Sequence, residues 1–132
     1  MTDKLSRPDF AVPAEPPLTF RPLNHLVIGF PDDETSQRAA QALAQQGIAD
    51  AHAVASNDMR LRMAQLLEAV EHSAGNEVLE MRRFLSLSAD GYGWLVVPAS
   101  GELPSARIVA IVEPLGARLA VHYGNGRISD LL

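Results

Sequence analysis

The side chains best suited to chemistry fall in two loops and one C-terminal cluster. Pro31-Asp32-Asp33-Glu34 and Pro98-Ala99-Ser100-Gly101-Glu102 each stand where an apolar strand gives way to a helix. A helix N-terminus favours anions, yet these loops bring carboxylates of their own. They therefore suit a divalent cation held by oxygen better than a phosphate. Capping and dipole pairing explain the same acids without any ligand. The third cluster is His122-Tyr123-Gly124 with Arg127, which could line a small pocket or a subunit contact. A strand end, a tight turn and a solvated arginine also account for it. The candidate ligand-binding set is thus Asp32, Asp33, Ser100, Glu102, His122, Tyr123 and Arg127, with no residue assigned as catalytic or metal-ligating.

Other signatures are missing from the chain. His25, His52, His72 and His122 do not stand at the spacing of a zinc motif. His72 follows Glu71 near the expected end of a helix, where an imidazolium suits the dipole. No G-x-S-x-G elbow surrounds a serine, and Ser100 has no neighbouring histidine. Gly91-x-Gly93 precedes its strand, whereas dinucleotide-binding glycines follow theirs, and Gly124-x-Gly126 lacks a third glycine. There is no P-loop. There is no cysteine, which removes disulfides, thiolate nucleophiles and Cys-ligated metals. No cofactor is indicated.

The elements that must position these residues belong to one domain of ordinary globular composition, 132 residues with 47% hydrophobic and 20% charged. The net charge of −5 gives no attraction for nucleic acid, and ten of the eleven basic residues are scattered arginines. An RNA-binding sheet would need aromatic and basic residues on its central strands, where this chain has Leu, Val and Ile. No apolar run has transmembrane length, and no h-region follows Lys4 and Arg7, so a cytoplasmic protein is expected.

Residues 1–22 hold five of the nine prolines and read as an extended or flexible arm, which Phe10 or Phe20 could pin to the domain or to another subunit. Residues 23–132 form the domain. His25–Phe30 is a strand buried on both faces. Asp32 or Asp33 caps a helix running to Gln46, closed by a Schellman ending at Gly47 with Ile48 against Leu43. Ala49–Ala55 is a weaker edge strand. Ser56 or Asn57 caps a helix over Asp58–Ser73, and Asn76 caps another over Glu77–Ser88. Met59, Met63 and Met81 give this helical hairpin a soft apolar face that is either core or an adaptable surface. Gly91–Pro98 contains the second doubly buried strand. A helix from Leu103-Pro104 turns Ala106, Val109, Ala110 and Ile108 or Val112 inward, and Pro114 terminates or kinks it. Arg118–Tyr123 is the last strand, at the other edge, and Ile128–Leu132 is a tail that docks through Ile128 and Leu131.

The order βαβ–αα–βαβ predicts an α+β, ferredoxin-like α/β sandwich with a helical hairpin between its halves, the two apolar strands side by side at the centre. An open flavodoxin-like sheet is the rival. The sandwich is expected to bring the ends of the two central strands, and with them the Asp32-Asp33 and Ser100-Glu102 loops, to the same edge.

Gly91-Tyr92-Gly93-Trp94-Leu95-Val96-Val97, Gly116-Ala117, Tyr123-Gly124 and Ile128-Ser129-Asp130-Leu131 resemble motifs of a set of small uncharacterised bacterial proteins. In that set a Gly-Tyr-x-x-Leu-Val-Val strand precedes a helix, a Gly-Ala turn, a Tyr-Gly and a terminal Ile-Glu-x-Leu, so Asp130 stands one place later than its acid. The similarity spans roughly Leu26–Leu132. The βαβ opening is also distantly similar to the general stress protein family. The resemblance implies a fold and a bacterial cytoplasmic setting, and no catalytic residue.

Two functions follow as expectations. One is a non-enzymatic, stress-related or regulatory module that binds a small ligand or protein partner and forms a homo-oligomer through an edge strand, without nucleic acid or membrane. The alternative is a small enzyme or divalent-metal protein using Asp32, Asp33, Ser100 and Glu102 at the shared edge, helped by His122 or Arg127.

Overall fold

The computed structural model describes residues 22–70, 75–125 and 127–132. Its elements are β1 (His25–Phe30), α1 (Asp33–Gln45), β2 (His52–Val54), α2 (Ser56–Ala69), α3 (Asn76–Ala89), β3 (Gly93–Pro98), α4 (Glu102–Val112) with a 3-10 turn at Glu113–Leu115, β4 (Leu119–Gly124) and β5 (Arg127–Asp130). The fold is mixed α+β, with four α-helices and one five-stranded antiparallel sheet of order β2-β3-β1-β4-β5 among the described residues. Residues 1–21 of the proline-rich arm, and His72, lie outside the described residues.

The continuous apolar runs of β1 and β3 are explained by cover on both faces of the sheet. Leu26, Ile28 and Phe30 of β1 join Leu95 and Val97 of β3 and Ala120 of β4 against Ala39 and Leu43 of α1 and Ile108 and Val112 of α4. Val27, Trp94, Val96, Val121 and Tyr123 point the other way, into Met59, Met63, Leu66, Val78, Met81 and Phe84 of the α2–α3 hairpin. The methionines therefore line a core, where flexible side chains fill an irregular contact.

Helix α1 begins and ends as its residues dictate. Asp32 accepts a hydrogen bond from the Thr35 amide at 2.7 Å and so caps the first turn. Hydrogen bonding from the Thr35 side chain, and then from its amide, holds the Asp32 carboxyl below the usual aspartate value, with the Arg38 charge helping slightly. At the other end Ile48 N–H donates to Leu43 O at 2.8 Å and Gly47 N–H to Ala44 O at 3.0 Å. These are the two bonds of a Schellman ending, and Gly47 supplies its left-handed residue at φ 86°.

Four features depart from the sequence expectation. The second strand shortens to His52–Val54, because the chain turns at Asp50 before it can pair. Helices α2 and α3 start at Ser56 behind Ala55 and at Asn76 behind Gly75, and neither has a local side-chain cap of the kind expected of Ser56, Asn57 or Asn76. The tail is no docking peptide: the turn after Gly124 folds it back as β5, so that β4 lies inside the sheet and β5 takes the edge. Finally, β3 runs antiparallel to β1, with His25 opposite Pro98 and Phe30 opposite Gly93. The loops that follow the two strands therefore leave from opposite ends of the sheet, about 17–20 Å apart for strands of this length.

Gly93 marks where α1 seats on the sheet. A Cβ built there would lie 2.7 Å from Asp32 O, Asp33 Cα and Asp33 Oδ1. Gly93→Ala is expected to lower stability by about 1–3 kcal/mol, the usual cost of overpacking, read as a lower urea midpoint at unchanged slope.

Candidate functional site

Antiparallel pairing divides the sequence-predicted site residues between the two ends of the sheet. At one end, Asp32 and Asp33 are occupied by the fold. Asp33 Oδ1 accepts the Ser56 amide at 2.8 Å, so a carboxylate on α1 caps α2 from 23 residues away. Ser56 Oγ in turn donates to Ser88 O at 2.8 Å, and Trp94 Nε1 donates to Ser88 Oγ at 2.9 Å. This chain of contacts explains why Ser56 caps nothing locally. It also gives Asp33 a structural role where the sequence offered a metal ligand.

At the other end, Glu102, His122 and Arg127 come together in a groove between α4 and the β4–β5 hairpin, with a volume of ≈ 620 Å³. Strand parity does this. His122 lies opposite Ser129 and Gly124 opposite Arg127, so these residues share the face that α4 covers. Ser105, Glu113 and Leu131 complete the lining with Ala106, Val109 and Ala110. Tyr123 is not part of it: one residue along the strand, its ring turns to the opposite face and is fully buried against the hairpin. Ser100 is exposed on the loop and does not line the groove.

The groove's side chains are not set up alike. His122 Nε2 lies 2.7 Å from Ala99 O. A carbonyl only accepts, so the imidazole donates there and presents Nδ1 as its remaining nitrogen. Ser105 Oγ donates to Gly101 O at 2.8 Å and is spent on the first turn of α4. Arg127 is exposed and its guanidinium meets no carboxylate among the described residues. Glu102 and Glu113 stand at the two ends of α4. A floor of small apolar side chains, one exposed guanidinium and two carboxylates make a binding surface for an amphipathic molecule. Among the described residues no group of three or more His, Asp or Glu is placed to hold a metal ion.

Of the α4 residues that the sequence turns inward, Ile108 and Val112 are buried, whereas Ala106 and Ala110 are exposed and Val109 is only half-buried. An apolar stripe at helical spacing reads the same whether a sheet covers it or a groove leaves it open. Ser129 and Glu113 carried no signal of their own.

Behind β5, on the hairpin face, Arg83 bridges Glu80 at 3.4 Å and Asp130 at 3.5 Å. Burial raises the Glu80 carboxyl above the ordinary value of 4.5, opposed by the Arg83 charge.

Comparison with known proteins finds no matching family model, no matching curated protein and no matching solved structure.

Two outcomes follow for these acids. Asp33→Ala is expected to cost about 1 kcal/mol, the usual value of a lost helix cap, while Asp33→Asn retains an acceptor and most of the stability. Denaturant titration of both variants checks this. Glu80 has a folded value above its unfolded one, so the stability it contributes is present at low pH and is lost as pH rises through the folded value. Glu80→Gln should therefore gain on the natural chain as pH increases from 4.5, read from melting temperatures across that range.

Proposed function

We propose that this chain is a non-enzymatic binding module of the bacterial cytoplasm, stress-related or regulatory in role, that takes a small amphipathic ligand in the α4–β4–β5 groove and self-associates through its β5 edge. The fold in this reading is a ferredoxin-like sandwich with the α2–α3 hairpin inserted between its halves. The strand order β2-β3-β1-β4, with every neighbour antiparallel, supports it, because two interleaved split βαβ units require that order. The bacterial, stress-related setting rests on the motif resemblance read from the sequence alone.

One observation carries the ligand reading: a ≈ 620 Å³ groove joins an apolar floor to the polar groups of Arg127, Glu102 and His122. Volume and lining fall within the range of small-molecule sites. The ligand that fits has an apolar body for Ala106, Val109, Ala110 and Leu131, and a polar end that accepts from Arg127 and donates to Glu102. The alternative of a shared site is not favoured, since Asp32 and Asp33 stand at the opposite end of the sheet from Ser100 and Glu102.

Native mass spectrometry of the full chain as purified tests the ligand. The expected result is a small-molecule adduct of one per protomer that disappears in Ala110→Trp, where an indole fills the groove. The melting temperature should change little, because Ala110 is exposed. A natural chain without adduct, or an adduct that persists in Ala110→Trp, removes the groove as its site.

A further inference from the structure

The β5 edge is built to pair with itself in one register, and a second copy would complete the groove. This inference rests on the self-association proposed above. Leu131 N–H donates to Ala120 O at 2.8 Å, and residues of β4 and β5 oppose each other with Tyr123 against Ile128 and His122 against Ser129. In an antiparallel ladder each residue directs both peptide groups to the same neighbour, and successive residues alternate. Leu131, Ser129 and Arg127 therefore bond β4, while the N–H and C=O of Ile128 and Asp130 point away from the sheet. Among the described residues only β4 pairs with β5. The opposite edge, β2, has three residues and is the shorter template.

A two-fold axis normal to the joined sheet keeps each face on its own side. Directly opposed residues must then belong to the same face, which leaves three registers centred on this strand. With Asp130 on the axis, two carboxylates oppose each other, which is unfavourable. With Ile128 on the axis, the described residues form one self-pair with two hydrogen bonds. With Ser129 on the axis, Ile128 meets Asp130 of the second copy twice, and all four outward N–H groups find carbonyls. On the groove face Arg127 then lies opposite Leu131 of the second copy. Leu131 is 37% exposed in the single chain, and the methylene stem of an arginine covers such a side chain well. Asp130 comes to the junction already paired to Arg83 at 3.5 Å.

We propose that β5 pairs antiparallel with β5 of a second copy about a two-fold axis through Ser129, so that the sheets join and the two α4–β5 grooves fuse into one trough. The three β5 residues that wall each groove, Arg127, Ser129 and Leu131, oppose the same three of the other copy. A ligand in either groove is thereby bounded by Arg127 of both chains.

The chain has no cysteine, so Ser129→Cys introduces its only thiol. The proposed register makes Ser129 a non-hydrogen-bonded self-pair with Cα atoms about 4.5 Å apart, within disulfide reach. The experiment compares full-length natural chain, Ser129→Cys, Ile128→Cys and Asp130→Pro by light scattering, and the cysteine variants by non-reducing electrophoresis after diamide oxidation. The expected results are a dimer, and a disulfide in Ser129→Cys that forms about tenfold faster than in Ile128→Cys, whose sulfurs the register holds beyond bonding distance. Asp130→Pro removes an outward N–H that β4 does not use. It should weaken the dimer at least about tenfold, since two of four edge hydrogen bonds are lost, while lowering the melting temperature of the monomer only slightly through loss of the exposed Arg83 pair. A monomeric natural chain overturns both this inference and the self-association reading. A dimer in which Ser129→Cys stays reduced, Ile128→Cys cross-links faster, or Asp130→Pro has no effect overturns the β5 pairing alone.

Discussion

A relay of polar contacts at the Gly93 end of the sheet holds the layers in register. Asp33 accepts the first amide of α2, Ser56 reaches the last turn of α3, and Ser88 receives the indole N–H of Trp94. The relay joins both faces of the sheet: α1 lies on one side and the hairpin on the other. Trp94 and Ser88 are buried, so an unmet N–H or hydroxyl here would carry the full desolvation cost. Gly93 permits the relay, since any side chain at that position would strike the backbone that carries Asp33. Gly29 fits the same demand from the adjacent strand, where the Trp94 ring lies 3.0 Å from where its Cβ would be.

The division of labour between the two ends of the molecule follows from this relay and from antiparallel pairing. The end that carries Asp32, Asp33 and Gly93 is consumed by structure. The other end receives the β4–β5 turn and the first turn of α4, and its polar groups are only partly committed to the fold. His122 and Ser105 each donate one bond to loop or helix backbone, whereas Arg127 remains at the rim. The residues with chemical potential thus separate into those that hold helices in place and those that face an open groove.

Much of the architecture was legible in the chain. Continuous apolar runs marked β1 and β3 as central, Asp32 and Gly47 bounded α1 by local chemistry, and Pro114 stopped α4. What stayed hidden depended on long-range partners. Asp33 looks like a cap for its own helix, and only the folded chain shows it capping another. Ile128 and Leu131 are too few to announce a strand, because an edge strand half-covered by solvent needs little apolar signal. The groove was missed for a related reason. Ala106 and Ala110 have the spacing of buried residues, and nothing in their type tells that they line an open groove. Parity explains the error at Tyr123, which adjoins His122 in sequence and faces the opposite core.

The sheet order also governs how the chain is made. Strand β1 has neighbours only in β3 and β4, so residues 31–92 must be synthesised before its first partner exists. At ribosomal speeds of about 5–20 residues per second, Leu26–Phe30 spends several seconds as an unpaired apolar strand. Long-range pairing of this kind is slow and exposes a segment prone to wrong partners. The α1 helix and the α2–α3 hairpin, which need only local contacts to begin forming, emerge in that interval. They provide apolar surfaces on which β1 can shelter until the centre of the sheet arrives.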